Sequence, residues 1–232
     1  GRDIQLEFMQ IEASRNAVAE IADNSIIGER RRLAIGIATT IAPVTTADFW
    51  RYVLTQLPVV ELQFFPLLPG EAATEVLSGR YDMCLLTNPP KPNVKLTTLP
   101  IYRESLRLAM ASEHPLARKT EITPVEMSAE PYLDRLHCEF RSTLIKHFMD
   151  RNIVMRPRFH SEREDWVQQM VAIGAGICAL PDRSIIVDGI VLRPVKGLDL
   201  SREVSLVAVS GSGNPREVRK ILSMARQFDW SL

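Results

Sequence analysis

The stretch Arg32-Leu-Ala-Ile-Gly-Ile-Ala-Thr-Thr-Ile-Ala-Pro43 decides how this chain is read. Leu33, Ile35 and Ile37 alternate with small residues, the period of a short buried strand. The chain then turns over Ala38, Thr39, Thr40, Ile41 and Ala42, and Pro43 opens a helix, where its missing N–H is no loss. A strand that runs into a helix N-terminus leaves backbone N–H groups without intrahelical partners. Thr39 and Thr40 add hydroxyls that can donate or accept. Small polar or anionic ligands bind at such turns. Threonines in this position also serve as plain helix caps, and the stretch alone leaves both readings open.

Outward from this stretch the pattern is strand, helix, strand, helix, strand. The helix from Pro43 to Gln56 carries Val44, Ala47, Phe49, Trp50, Val53 and Leu54 on its apolar face and stops at Leu57-Pro58. Val59 to Phe65 is β-branched and aromatic, hence a strand. Glu71 to Ser78 is a short helix with Gly79 as its C-terminal stop, and Tyr81 to Leu86 is a third strand. This order implies a parallel sheet wound right-handedly, with ligands outside the carboxyl ends of its strands. Thr39, Thr40, Thr87 and Asn88 all fall at such ends.

The rest repeats the alternation loosely. Lys95 to Arg103 and Leu106 to Ala111 read as two extended segments, and Thr123-Pro-Val-Glu126 as a capping box. Pro131 to Asp134, Arg158 to His160, Ile177 to Leu180, Ile190 to Pro194 and Val204 to Ser210 are predicted strands. Helices are predicted over Arg141 to Arg151, over Glu162 to Ile173 with Ser161 as its cap, and over Pro215 to Phe228. Two such strand–helix units make a ligand cleft at their seam.

The 232 residues are 46% hydrophobic and 24% charged, with no net charge, an ordinary balance for a chain that buries a core. A chain that grips nucleic acid shows a basic excess, so that role is not expected of these residues. No apolar run is long enough for a membrane span, and the N-terminus is not a signal peptide. Cys84, Cys138 and Cys178 form neither a zinc pattern nor a disulfide framework, which suits a reduced, cytoplasmic setting. Residues 1 to 27 read as a helix with a narrow stripe, Ile4, Phe8, Ile11, Val18 and Ala22, suited to a seam between subunits. An ordinary surface helix is the other reading. The chain opens inside this helical pattern, as if preceded by further sequence.

The order of these pieces resembles the effector-binding domain of LysR-type transcriptional regulators. Leu33-Ala-Ile-Gly-Ile-Ala-Thr-Thr40 is similar to that family's first strand and ligand loop. Leu57-Pro58, Leu77-Ser-Gly-Arg-Tyr-Asp82 and Ser112-Glu-His-Pro-Leu116 are similar to its recurrent punctuation. Ser161-Glu162 followed by Met170-Val-Ala-Ile-Gly-Ala-Gly-Ile177 and Leu180-Pro181 is the most specific match. The resemblance implies an α/β fold of two periplasmic-binding-protein-like subdomains with an interlobe cleft, preceded by a linker helix. It places that helix at 1–27, one subdomain at 30–105 with 195–232, and the other at 106–194. It implies a small-molecule effector, a homodimer or homotetramer, and DNA contact only through a winged helix-turn-helix outside this chain.

Carried over residue by residue, the effector site draws on Ala38, Thr39, Thr40, Ile41, Ala42, Thr87, Asn88, His137, Cys138, Arg141, His160, Ser161, Gly176 and Ile177. Arg141 near a helix start can hold a carboxylate, or it can simply pair with Glu139 or Asp134. The peroxide-sensing member of the family carries a His-Cys pair similar to His137-Cys138, with a second cysteine nine residues on. Here that position is His147, so the same intramolecular disulfide is not available. Cys138 can still be a low-pKa thiol among His137, Arg135 and Arg141, or a small lining residue. A plain ligand sensor is the favoured reading, with a thiol redox sensor and a transporter's solute-binding protein as alternatives. No nucleophile–base pair, paired carboxylates or metal-ligand spacing stands out, so neither catalysis, a metal nor a cofactor is expected.

Overall fold

The computed structural model describes residues 31–68, 72–89, 95–211 and 214–231. The helix expected over 1–27 lies outside these described residues. In chain order they form β1 (Arg31–Ala38), α1 (Ala47–Gln56), β2 (Val60–Leu67), α2 (Ala72–Leu77), β3 (Met83–Thr87) and β4 (Leu96–Ala111). Then come α3 (Pro124–Ala129), β5 (Tyr132–Arg135), α4 (Arg141–Met149), β6 (Pro157–Ser161), α5 (Glu164–Ala172), β7 (Cys178–Pro181), β8 (Ile190–Arg193), β9 (Ser201–Val209) and α6 (Arg216–Gln227). The described residues divide into two compact units, 31–41 with 46–102 and 203–231, and 42–45 with 103–202.

In the first unit β1 is flanked by β2 and β3, both parallel to it, as the strand–helix alternation requires. β9 closes on β3 antiparallel. Leu33 and Ile35 enter a core with Phe49, Trp50 and Val53 of α1 and Val218, Ile221, Leu222 and Ala225 of α6. The helical spacing of those α6 residues explains why its burial was legible from sequence. Gly36 is required by packing, since a Cβ there would stand 2.5 Å from Leu67 Cδ1. The predicted helix from Pro43 is broken in two. Pro43–Thr45 is a single 3-10 turn and the α-helix starts at Ala47, because Thr45 Oγ1 donates to Ala42 O at 2.7 Å and tightens the first turn.

In the second unit the two extended segments predicted at 95–111 prove to be one strand, β4, which begins in the first unit. Its Leu106–Ala111 part pairs antiparallel with β7 and β8. β5 and β6 form a separate parallel pair. Val195 and Leu198 are buried with Leu106, Leu108, Tyr132, Phe140 and Phe148, so residues 195–202 pack with the second unit rather than the first. The capping box at α3 forms in both directions, Glu126 N donating to Thr123 Oγ1 and Thr123 N to Glu126 Oε2. Hydrogen bonds from Lys119 and from Thr123 hold the Glu126 carboxyl down to about 2.

Candidate functional site

The candidate site lies in the second unit, where β5 delivers charged residues into the interior. Arg135 ends β5 and is 1% exposed. Its Nε donates to both oxygens of Glu164 at 3.0 and 2.7 Å, and its Nη1 donates to Ala179 O at 2.9 Å and Cys138 Sγ at 3.4 Å. Burial works against the guanidinium charge, and the Glu164 carboxylate more than offsets it. Nη2 is buried and meets no acceptor among the described residues.

Asp134, one residue earlier, is a hub. Arg141 at the start of α4 donates Nε to Oδ1 at 3.1 Å and Nη2 to Oδ2 at 2.8 Å. His160 Nδ1 stands 3.1 Å from the same Oδ2, because the β5–β6 register sets Asp134 opposite His160. Of the two readings of Arg141, the structure therefore shows the internal pair with Asp134. The Nε/Nη2 edge is occupied, while Nη1 makes no hydrogen bond among the described residues.

Between α4 and the β5–β6 pair is a small pocket of about 70 Å³. Leu144, Ile145 and Phe148 of α4 line it with Tyr132, Cys138, Met155 and Pro157, and Asp134, Arg135 and Arg141 add a narrow polar edge. The sequence marks Cys138 and Arg141 as site residues and places Leu144, Ile145 and Phe148 on the helix predicted over Arg141 to Arg151. No local signal separates an apolar stripe that fills a core from one that walls a pocket.

A second buried charge centre adjoins Cys138 in sequence. Arg202 is fully buried, its Nε donating to Glu104 Oε1 and its Nη1 to Glu139 Oε1, both at 2.6 Å. Glu104 Oε2 and Glu139 Oε2 are buried without a hydrogen-bond partner among the described residues. Burial pushes the Glu104 carboxyl up in spite of Arg202. Burial also acts on Glu139, but there Arg202 prevails and holds the carboxyl below its ordinary value. Glu139, expected as a partner of Arg141, thus belongs to Arg202, and this triad was not foreseen.

Several expected site residues take other roles. Cys138 is not a low-pKa thiol: it is 8% exposed, and burial pushes its pKa up against the pull of Arg135. Burial likewise pushes Cys84 up to about 12 and raises Cys178. His137 stands 3.8 Å from the Glu162 carboxylate. Ser161 does not cap a helix; α5 begins at Glu164, and Ser161 Oγ accepts from Arg163 N at 3.0 Å in a local turn. Gly176 is a close-approach glycine whose Cβ would meet Pro131 O at 2.4 Å, and Ile177 is fully buried core.

In the first unit the turn after β1 is more satisfied than expected. Thr39 N donates to Leu67 O at 3.2 Å and Ile41 N to Ala38 O at 2.9 Å, while Thr40 and Ile41 are buried. Asn88 sits at φ +44°, and its backbone N–H and Oδ1 both bond Glu203. Thr87 ends β3 half-buried, Ala38 ends β1, and Ala42 is buried. Among the described residues no group of His, Cys, Asp or Glu could hold a metal ion. No described helix is long and apolar enough to cross a membrane.

This α/β architecture, with a buried polar hub beside a small pocket, is that of a ligand-binding regulatory domain. Residues 27–229 match the LysR substrate binding domain, and the chain belongs to that family. The hydrogen peroxide-inducible genes activator of Haemophilus influenzae is 22% identical over 186 residues, 78% of this chain and 61% of that protein. The HTH-type transcriptional regulator MetR of Escherichia coli is 30% identical over 124 residues, 53% of this chain and 39% of the relative. The chain therefore spans at most about three fifths of these relatives. Among solved structures, the regulatory domain of Synechocystis PCC6803 CcmR in complex with 2-PG superposes with a TM-score of 0.73 at 17% identity, covering 85% of this chain and 97% of that one. That likeness shows the shared fold, the periplasmic-binding-protein-like fold of LysR effector-binding domains.

Proposed function

We propose that this chain is the sensing part of a cytoplasmic transcriptional regulator and binds a small polar or anionic effector. The match over residues 27–229 to the LysR substrate binding domain is the observation that carries this reading. DNA contact is assigned to a segment outside this chain, and the regulator to a homodimer or homotetramer. Its mechanism is a population shift: an effector with different affinity for two arrangements of the domain biases their equilibrium. A catalytic role has no support from the relatives, which are named as regulators. A redox role for Cys138 is disfavoured by its burial and its raised pKa, since the thiolate is the reacting form.

A thermal-shift screen of aromatic acids, amino acids and sugar acids tests the reading. A binder raises the melting temperature by mass action. No rise with any of them overturns it. Under brief peroxide exposure, mass spectrometry is expected to find Cys138 unmodified.

A further inference from the structure

We infer that the pocket between α4 and the β5–β6 pair takes a small monocarboxylic acid with a compact apolar body, an aromatic acid of the size of phenylacetate. This rests on the sensor reading above and names the class of effector. The wall presented by Leu144, Ile145, Phe148 and Met155 is apolar. A sugar acid or a phosphorylated acid would leave hydroxyl or phosphate oxygens against it without partners, which is costly. An apolar body loses nothing there and gains from leaving water.

The polar side of the pocket asks for an acceptor. Asp134 is turned inward, its side chain 7% exposed, and its oxygens are already taken by Arg141 and His160. Arg141 stands outside it, 41% exposed, with Nη1 unused among the described residues. Arg135 beside it keeps a buried Nη2 that meets no acceptor among them. The site is short of acceptors and not of donors. A carboxylate can accept from Arg141 Nη1 while Asp134 keeps the opposite edge of the guanidinium, a charge-assisted bond. An ammonium head would find the one carboxylate already shielded.

Titration calorimetry on the full chain tests this with phenylacetate, 3-phenylpropionate, their amide and amine analogues phenylacetamide and phenethylamine, and the polar acids glycerate and glutarate. The two aromatic acids are expected to bind saturably, and the amide and the amine at least about tenfold more weakly. Ile145→Glu, at a rim position already 42% exposed, is expected to weaken phenylacetate by about tenfold or more with an unchanged melting temperature. Equal binding of acid and amide, or full affinity in a folded Ile145→Glu chain, overturns the assignment. If Ile145→Glu does not fold, the amide and amine comparison decides alone. Binding of glycerate or glutarate without the aromatic acids overturns the apolar class and leaves the sensor reading standing. Binding of none of these, together with no response in the thermal-shift screen, sinks both.

Discussion

The core of the first unit is apolar and aromatic. Phe49 packs against Trp50, Phe228 and Trp230 with ring centroids 5.0, 5.3 and 4.9 Å away. The second unit is built differently. Among the described residues the buried charged side chains, Glu104, Asp134, Arg135 and Arg202, all lie there. An interior charge is tolerated only when paired, and even then an apolar replacement of similar volume is often no less stable. Stability alone therefore does not call for these charges. The first unit has an apolar interior, and the second carries paired charges inside.

The sharpest way to break that contrast is Arg202→Leu. It leaves Glu104 and Glu139 without their cation, and urea unfolding is expected to show a loss of about 3–5 kcal/mol. Adding Glu104→Met and Glu139→Gln is expected to recover most of that loss. If the triple variant stays as unstable as the single one, the triad is a stabilising device and the contrast fails. Next come the two tight glycines. Gly176→Ala drives a methyl onto the backbone carbonyl of Pro131, whereas Gly36→Ala meets side-chain atoms, Leu67 Cδ1 and Cγ and Cys84 Sγ, which can shift more readily than backbone. Overpacking costs about 1–3 kcal/mol, and calorimetry is expected to place Gly176→Ala near the top of that range and Gly36→Ala near the bottom.

Thr123→Ala removes one half of the α3 capping box and is expected to lower stability by about 1 kcal/mol in chemical denaturation. The smallest effect sharpens the triad. Glu139 has a lowered pKa, so its contribution is present above the ordinary glutamate value and fades as pH falls through the folded one. Glu104 has a raised pKa, so its contribution is present below the ordinary value and fades as pH rises through the folded one. Urea midpoints followed across the acid range are expected to show Glu139→Gln losing the acid-side dependence and Glu104→Gln losing the opposing one. Identical pH profiles in both variants would contradict the split between the two carboxylates.

Much of the fold was legible locally. The alternation in β1, the terminal helix α6 and the box at Thr123 each rest on residues two to four apart, and each forms as read. β4 was not legible as one strand, because Arg103-Glu104-Ser105 looks like a polar break. Glu104 is inside only because Arg202 meets it from 98 residues away. The pocket was not legible as such. Of the residues named from sequence for an effector site, Cys138 and Arg141 line it, while Asp134, Arg135, Tyr132 and Met155 carry no local mark of it. Ser161 was misread because a hydroxyl before a helix serves a turn as readily as a cap.

From the sequence alone came the alternating α/β order, the parallel pairing around β1 and the family to which the chain belongs. These follow from apolar periodicity and turn chemistry, which act between near neighbours. Only the tertiary structure decided which carboxylate each arginine holds: Glu164 for Arg135, Asp134 for Arg141, and Glu104 with Glu139 for Arg202. It also decided that Cys138 is buried, with its pKa pushed up by that burial. Charge pairing and pKa depend on burial and on neighbours through space; Arg141 and Asp134 are 7 positions apart, but the other pairs join residues 29 to 98 positions apart, which meet only once the sheet has formed.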